Sequence, residues 1–540
     1  MEIIANKFAA LTIFFIVVYI LRNSMKKPGS SECPNGCLSR NPAQDNLRNA
    51  FILILLTHLA ITLFLSYKLN IWIDEAYTLN TTGRSLGYAL VQSIEFESQA
   101  PLYFLTLNIW RKINDSIFFA RLFSAICILL TLLILVRLSK YYLPGVNPIY
   151  LPALSAFNPY LIWAASEMRV FAFGILLTSL LLVVFYERFI LGRQEKQKGI
   201  LLAGLWAIAF YTHYFFFILL AGLLGYLLVM RSWRKLAQFL LLILFPIILA
   251  LPLLIQLPGH MAGHISGHQE HIGFLLSLRM VFVLVQNLVI HLTPLPLYGR
   301  FVLPALFFIF MGYIFLRNKQ RIVRPQVIIW ILLGISAGCY VLFIILFGPD
   351  ILNPKYFFIV YILSNLAYLS LGYFFAEDSR KKFMLYSILI VISYHAVILV
   401  TSYSRLAKSG DYVRVVSTLD KMEKPGEPII VFNPEAAMAL SVYYKGSNSI
   451  IPVPNPINFK KFDSMLLVIT GEEQLAKVIG EPIDSAPHVW LFHAGPDKYL
   501  GVDYQYPLLE QYLFKEYEVE SEFSFFRSEL RYLRRKPVPN

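Results

Sequence analysis

Two carboxylates stand side by side at Asp74-Glu75, and two more follow at Glu95 and Glu97. Such an acid pair can serve as a general base that takes a proton from an attacking hydroxyl, or as a metal ligand. Acids at the outer end of an apolar segment are equally consistent with simple solvation, so the pair alone does not choose. Further along, His260, His264, His268 and His271 recur at a period that puts them on one face if the segment is helical. His260, His264 and His268 could then hold a divalent metal together with Glu97 or Glu270, the one cofactor these residues suggest. The interleaved Gly259, Gly263 and Gly267 disfavour a helix, and a loop moving over a cavity is the competing reading. Arg121 falls at the edge of an apolar segment, where a guanidinium must snorkel, pair with an acid or bind an anion. Cys33 and Cys37 form a single C-x3-C pair, which without two further ligands carries little metal or redox signal.

The elements that must position these groups are membrane helices. Hydrophobic residues make up 57% of the 540 and charged residues 15%, against about 25% charged in soluble domains. The apolar residues gather in blocks near the length of a bilayer span, about 20 residues. Spans are expected near 3–21, 49–69, 118–136, 144–163, 170–186, 199–211, 214–230, 236–257, 300–316, 326–347, 356–376 and 383–402, about 11–13 in all. The stretch 199–230 reads as two short helices or one long one. Segment 273–292 carries Arg279, Gln286, Asn287 and His291 and reads as an interfacial helix. The net charge of +14 does not indicate nucleic acid, because Lys and Arg sit at the ends of apolar blocks.

That placement sets the orientation. Loops 22–48, 137–143, 187–199, 231–235, 317–326 and 377–382 are rich in Lys and Arg, and the alternate loops are poor in them. By the positive-inside rule the first set is cytoplasmic. Only Lys7 precedes the first apolar segment and no small-residue cleavage site follows, which reads as an uncleaved anchor with its N-terminus outside. Loop 70–117, segment 258–299 and everything after about 403 then lie outside. The tail alternates apolar runs at 429–432, 466–469 and 489–492 with helix-like stretches at 412–422, 434–444 and 472–479, the pattern of a small α/β domain. No catalytic constellation is visible in it, so capping or recognition is its expected role. The expected organisation is an anchor and cytoplasmic loop (1–48), a transmembrane domain (49–402) and a soluble extracytoplasmic domain (403–540).

Asp74-Glu75, then Ala100-Pro101-Leu102-Tyr103-Phe104, then Phe119-Ala120-Arg121-Leu122-Phe123-Ser124-Ala125 resemble the protein O-mannosyltransferase and aminoarabinose-transferase family. These are C-superfamily glycosyltransferases. Glu167-Met168-Arg169-Val170-Phe171 looks like the family's Glu-x-Arg-x-aromatic element, and Tyr211-Thr212-His213-Tyr214 like its Thr-His element. Lys355-Tyr356 stands where the family usually has Arg-Tyr, which keeps the charge and loses the bidentate geometry. The family often has His or Lys just before a Pro-Pro-Leu, where this chain has Gln99-Ala100-Pro101-Leu102. The resemblance covers about 49–420.

The resemblance implies an α-helical polytopic membrane enzyme that moves a sugar from a polyprenyl-phosphate carrier to an extracytoplasmic lipid, glycan or protein. It implies Asp74 as general base, with Glu75 either reacting or orienting the helix. Arg169, Lys355 and Arg121 become candidates for the donor phosphate. Glu97, Glu167, His213 and Tyr356 become candidates for substrate contact, with His213 equally readable as a satisfied polar residue at a span end. The implied partners are the lipid-linked sugar, membrane lipids and the acceptor, and the implied location is a bacterial inner membrane. A lipid-linked glycan polymerase or ligase and a transporter or flippase are the rival functions. A transporter would bury ionisable groups mid-span and show repeats.

Overall fold

The structure, a computed structural model, describes residues 42–265, 324–347, 354–460, 464–495, 497–499 and 502–537, with 309, 312, 313 and 316. Segments 3–21 and 273–292, Cys33, Cys37 and most of 300–316 lie outside the described residues. The chain is an α-helical polytopic membrane protein carrying a small sheet. Seven described helices are long and apolar enough to cross a membrane: Asp45–Lys68, Ile117–Tyr142, Phe171–Ile190, Trp233–Leu253, Pro325–Phe343, Lys355–Phe374 and Glu377–Ser402. The ambiguous stretch resolves into two helices, Lys196–Thr212 and Phe216–Val229, which meet at His213.

The expected span at 144–163 is instead a pair of short helices, Tyr150–Ala156 and Pro159–Ala165. The break is local chemistry. Pro159 disfavours helical geometry at the residue before it, and the Asn158 side chain accepts a hydrogen bond from the Tyr160 amide at 2.9 Å to start the second helix. Seven residues advance a helix only about 10 Å, too short to cross.

The described residues form two compact units. One takes those within Met1–Ser66, Ser116–Leu253 and Ile272–Ser404, and the other those within Tyr67–Asp115, Leu254–His271 and Arg405–Asn540. Within the first, Lys355–Phe374 is the central helix, with 94% of its most apolar stretch buried, whereas Trp233–Leu253 has 28% buried and presents most of its surface outward. Close packing at the centre depends on small residues. A Cβ on Gly174 would come within 2.6 Å of the Phe358 ring, so only glycine admits that approach of the two helices.

The second unit joins Tyr67–Asp115 to the C-terminal segment. Three helices cover the first of these: Ile73–Thr82, Leu86–Glu95 and Leu102–Arg111. The C-terminal segment builds a five-stranded sheet from β1 (Ile429–Phe432), β2 (Ile450–Val453), β3 (His488–Ala494), β4 (Tyr517–Phe525) and β5 (Ser528–Arg535), in the order β2-β1-β3-β5-β4. β1 runs parallel to β2 and β3, while β3-β5 and β5-β4 are antiparallel. All four residues of β1 are buried, which is why it reads as an unbroken apolar run. Helix Pro434–Tyr443 follows β1 directly, and its first turn carries Glu435. The apolar run at 466–469 contributes a single 3-10 turn, Ser464–Leu467.

Candidate active site

In the second unit, helix Ile73–Thr82 places Asp74 and Glu75 in its first turn, where carboxylates complement the helix dipole. The two adjacent acids point into different surroundings. Glu75 is fully buried, and its Oε2 lies 2.6 Å from the Lys408 ammonium, itself only 10% exposed. The Lys408 amide also donates to Asn70 Oδ1 at 2.7 Å, and the Asn70 side-chain amide donates to the Ile71 carbonyl. Glu75 therefore ties the start of this helix to the chain entering the C-terminal sheet. Asp74 is half-buried and keeps access to solvent.

Tyr77 lies one turn after Asp74, on the same helix face. Its hydroxyl donates to Glu435 Oε1 at 2.5 Å. Glu435 is half-buried in the first turn of helix Pro434–Tyr443. Burial pushes its carboxyl up to about 7, the Asp74 charge adds to the rise, and the Tyr77 hydrogen bond opposes it. Burial and the charges of Glu435, Asp74 and Glu97 hold the Tyr77 phenol protonated, well above its ordinary range. Glu97 accepts from Thr81 at 3.2 Å. Three carboxylates, Asp74, Glu97 and Glu435, thus surround one buried phenol.

The far end of the same helix is also held. Arg111, buried, donates to the Leu79 carbonyl at 2.8 Å, one of the groups that a helix end leaves open, and to Thr82 Oγ1 at 2.7 Å. Asn108 donates to the carbonyls of Thr82 and Arg84, both at 2.8 Å.

In the membrane unit, Glu167 and Arg169 occupy the turn between helices Pro159–Ala165 and Phe171–Phe185, and both are buried. The Arg169 charge acts on the His213 ring, which sits at the junction of its two helices. The His213 ring lies 6.1 Å from Tyr356 and 5.1 Å from Phe358. Tyr356 also meets Phe171 and Phe215, at 6.1 and 5.3 Å. Tyr160 donates to the Lys355 carbonyl at 2.9 Å and Tyr340 to the Tyr356 carbonyl, which fixes the Lys355-Tyr356 backbone while both side chains stay half-exposed. The structure thus gathers Arg169, His213, Lys355 and Tyr356 in an aromatic frame, with Glu167 in the Arg169 turn. Arg121 is fully buried, and one of its nitrogens donates to the Ser66 carbonyl at 2.9 Å.

His268 lies outside the described residues. His260 and His264 fall in helix Trp233–Ile265, but their side chains are not described. Among the described residues, no group of three or more His, Cys, Asp or Glu side chains is placed to hold a metal ion.

No protein-family model and no curated protein matches the chain in sequence. Solved structures do match. The apo crystal structure of ArnT from Cupriavidus metallidurans aligns over 90% of this chain and 98% of its own, with a TM-score of 0.53 at 12% identity. The same protein bound to undecaprenyl phosphate aligns over 89% and 97%, with a TM-score of 0.52 at 12% identity. The chain has the ArnT fold.

Lys408, Tyr77 and Glu435 are the partners that sequence reading missed. Asn433-Pro434-Glu435 after an apolar run is a legible helix start. Nothing local indicated that this start meets a helix some 350 residues earlier in the chain.

Proposed function

We propose that this chain is an integral-membrane glycosyltransferase that moves a sugar from a polyprenyl-phosphate carrier to an acceptor on the non-cytoplasmic face. The observation that carries the reading is the ArnT fold along nearly the whole chain, joined to acids and cations of the right kinds at the motif positions. ArnT itself has been crystallised with undecaprenyl phosphate. The Lys and Arg distribution supports an outward-facing reaction and a cell-membrane location.

In this reading Asp74 takes the proton of the acceptor hydroxyl as its oxygen attacks the anomeric carbon. The bond from that carbon to the phosphate oxygen breaks, and polyprenyl phosphate leaves with the electron pair. Asp74 suits the role by its motif position and its partial exposure. Arg169 and Lys355 supply positive charge for the leaving phosphate. The Tyr356, Phe171 and Phe215 rings and His213 fix the surface on which Lys355 is carried. Glu97 and Glu167 remain candidates for hydroxyl groups of the sugar or acceptor.

The test is turnover by the purified protein in liposomes carrying radiolabelled polyprenyl-phosphoryl-mannose or polyprenyl-phosphoryl-arabinose, with an envelope extract as acceptor. Protein-dependent loss of label from the lipid fraction, with matching gain in the acceptor, is expected for one donor. Movement of intact donor between leaflets without cleavage would instead establish a flippase.

A further inference from the structure

Asp74, the proposed base, belongs to a helix that the C-terminal segment holds both through an ion pair and through a phenol hydroxyl. The Glu75–Lys408 contact fixes the beginning of the helix. The second point is Tyr77, whose hydroxyl reaches Glu435 across 2.5 Å. A hydrogen bond to a carboxylate is charge-assisted and directional. Tyr77 is locked on its other side by the Phe96 ring, 5.0 Å away and edge-on. Glu435 is locked by its own helix, whose start is capped by Asn433 accepting from the Ala436 amide. The backbone amide of Ile71, three residues before Asp74, donates to the Tyr443 hydroxyl of that same helix at 2.7 Å.

From this geometry we infer that Glu435, acting through Tyr77, is a positioning residue for Asp74, so that the C-terminal sheet unit is a working part of the transfer reaction and not only a cap. The inference rests on Asp74 being the base. Tyr77 sits one turn beyond Asp74, so a rotation of the helix that breaks the Tyr77–Glu435 bond swings Asp74 with it.

The surroundings of Glu435 make the contact responsive to protons. The groups facing it are Asp74 and Tyr77 on helix Ile73–Thr82 and Tyr412 on helix Tyr412–Met422, with Glu97 acting on Tyr77. The phenols stay neutral, so Asp74 is the charge that Glu435 feels most. Its carboxyl titrates at about 7, held up by burial and Asp74 and held down by the Tyr77 bond. Above that point Glu435 is an anion, its bond to Tyr77 strengthens, and its charge makes Asp74 a stronger base. Below it, both effects fade.

The experiment compares wild type, Glu435→Gln, Tyr77→Phe and Asp74→Asn in the liposome transfer assay across pH. Carboxyl protonation is followed in parallel by infrared difference spectroscopy on the same purified proteins. Wild-type kcat/KM is expected to rise through about 7 as one carboxyl band disappears. Glu435→Gln removes both the band and the rise, and lowers kcat about 10–10²-fold with the donor KM kept. Tyr77→Phe loses the bond that holds the carboxyl down, so the midpoint moves to higher pH. A merely structural role would lower activity without moving that midpoint. If Asp74→Asn abolishes transfer while both other variants keep wild-type kcat and midpoint, the positioning inference is overturned and the base assignment stands. If Asp74→Asn transfers normally, the base assignment falls and the inference with it.

Discussion

Replacing Lys408 with Met keeps the length of the side chain and removes the ammonium that lies 2.6 Å from a fully buried carboxylate. Breaking one side of a buried pair costs about 3–5 kcal/mol, because the remaining charge keeps its desolvation penalty without the countercharge. The strain falls on the first turn of helix Ile73–Thr82, which Glu75 anchors. At about 1.4 kcal/mol per factor of ten, local opening of that helix should become about 10² to 4 × 10³-fold more frequent. Hydrogen exchange read by mass spectrometry on peptides spanning 73–82, in detergent and under conditions where closing outruns exchange, measures this directly. Peptides from Phe171–Phe185 in the membrane unit act as the internal control and should not change. The double variant Glu75→Gln/Lys408→Met makes both partners neutral and should recover most of the protection. Exchange in Lys408→Met within threefold of wild type, or a double variant no better than the single, would refute the view that this pair fixes the helix.

Gly174→Val drives side-chain atoms into the Phe358 ring, where even a Cβ stands at 2.6 Å. It should destabilise the membrane unit by about 1–3 kcal/mol, seen as a lower unfolding temperature in detergent, and Gly204→Val, with open space around its Cβ, should not. Arg169→Lys keeps charge but loses the planar fork, so weaker donor binding is expected than in wild type, with Arg169→Ala weaker still; equal donor KM in all three would remove Arg169 from phosphate binding. The stability of the second unit should fall as pH rises from about 4.5 to about 7, since folding holds the Glu435 carboxyl above its ordinary value and the folded state binds more protons in that window. Glu435→Gln should abolish that slope in pH-dependent thermal unfolding, and an unchanged slope would place the titrating group elsewhere.

The membrane architecture was legible because span length and loop charge are direct physical requirements. The errors have local causes. Residues 144–163 carry no charged side chain, and hydropathy outweighed the Asn158-Pro159 break that divides them into two helices. The β4–β5 hairpin escaped notice because one of its faces carries charges, among them the Arg534–Glu518 pair. Alternation of that kind hides a strand from a search for apolar runs. The site was readable only by halves. Acid and cation positions came from motifs, and the family resemblance already favoured Asp74 over Glu75 as the base, but Lys408, which pairs with Glu75, lies more than 300 residues away and left no local signal. For the same reason the C-terminal segment looked chemically empty, although its Glu435 meets Tyr77 on the helix of Asp74.

The most direct measurement of the central claim is the turnover of lipid-linked donor by purified Asp74→Asn beside wild type, with donor binding measured on the same samples. The account predicts a fall of about 10²–10⁴-fold in kcat with donor affinity retained. Equal turnover by the two proteins would contradict it.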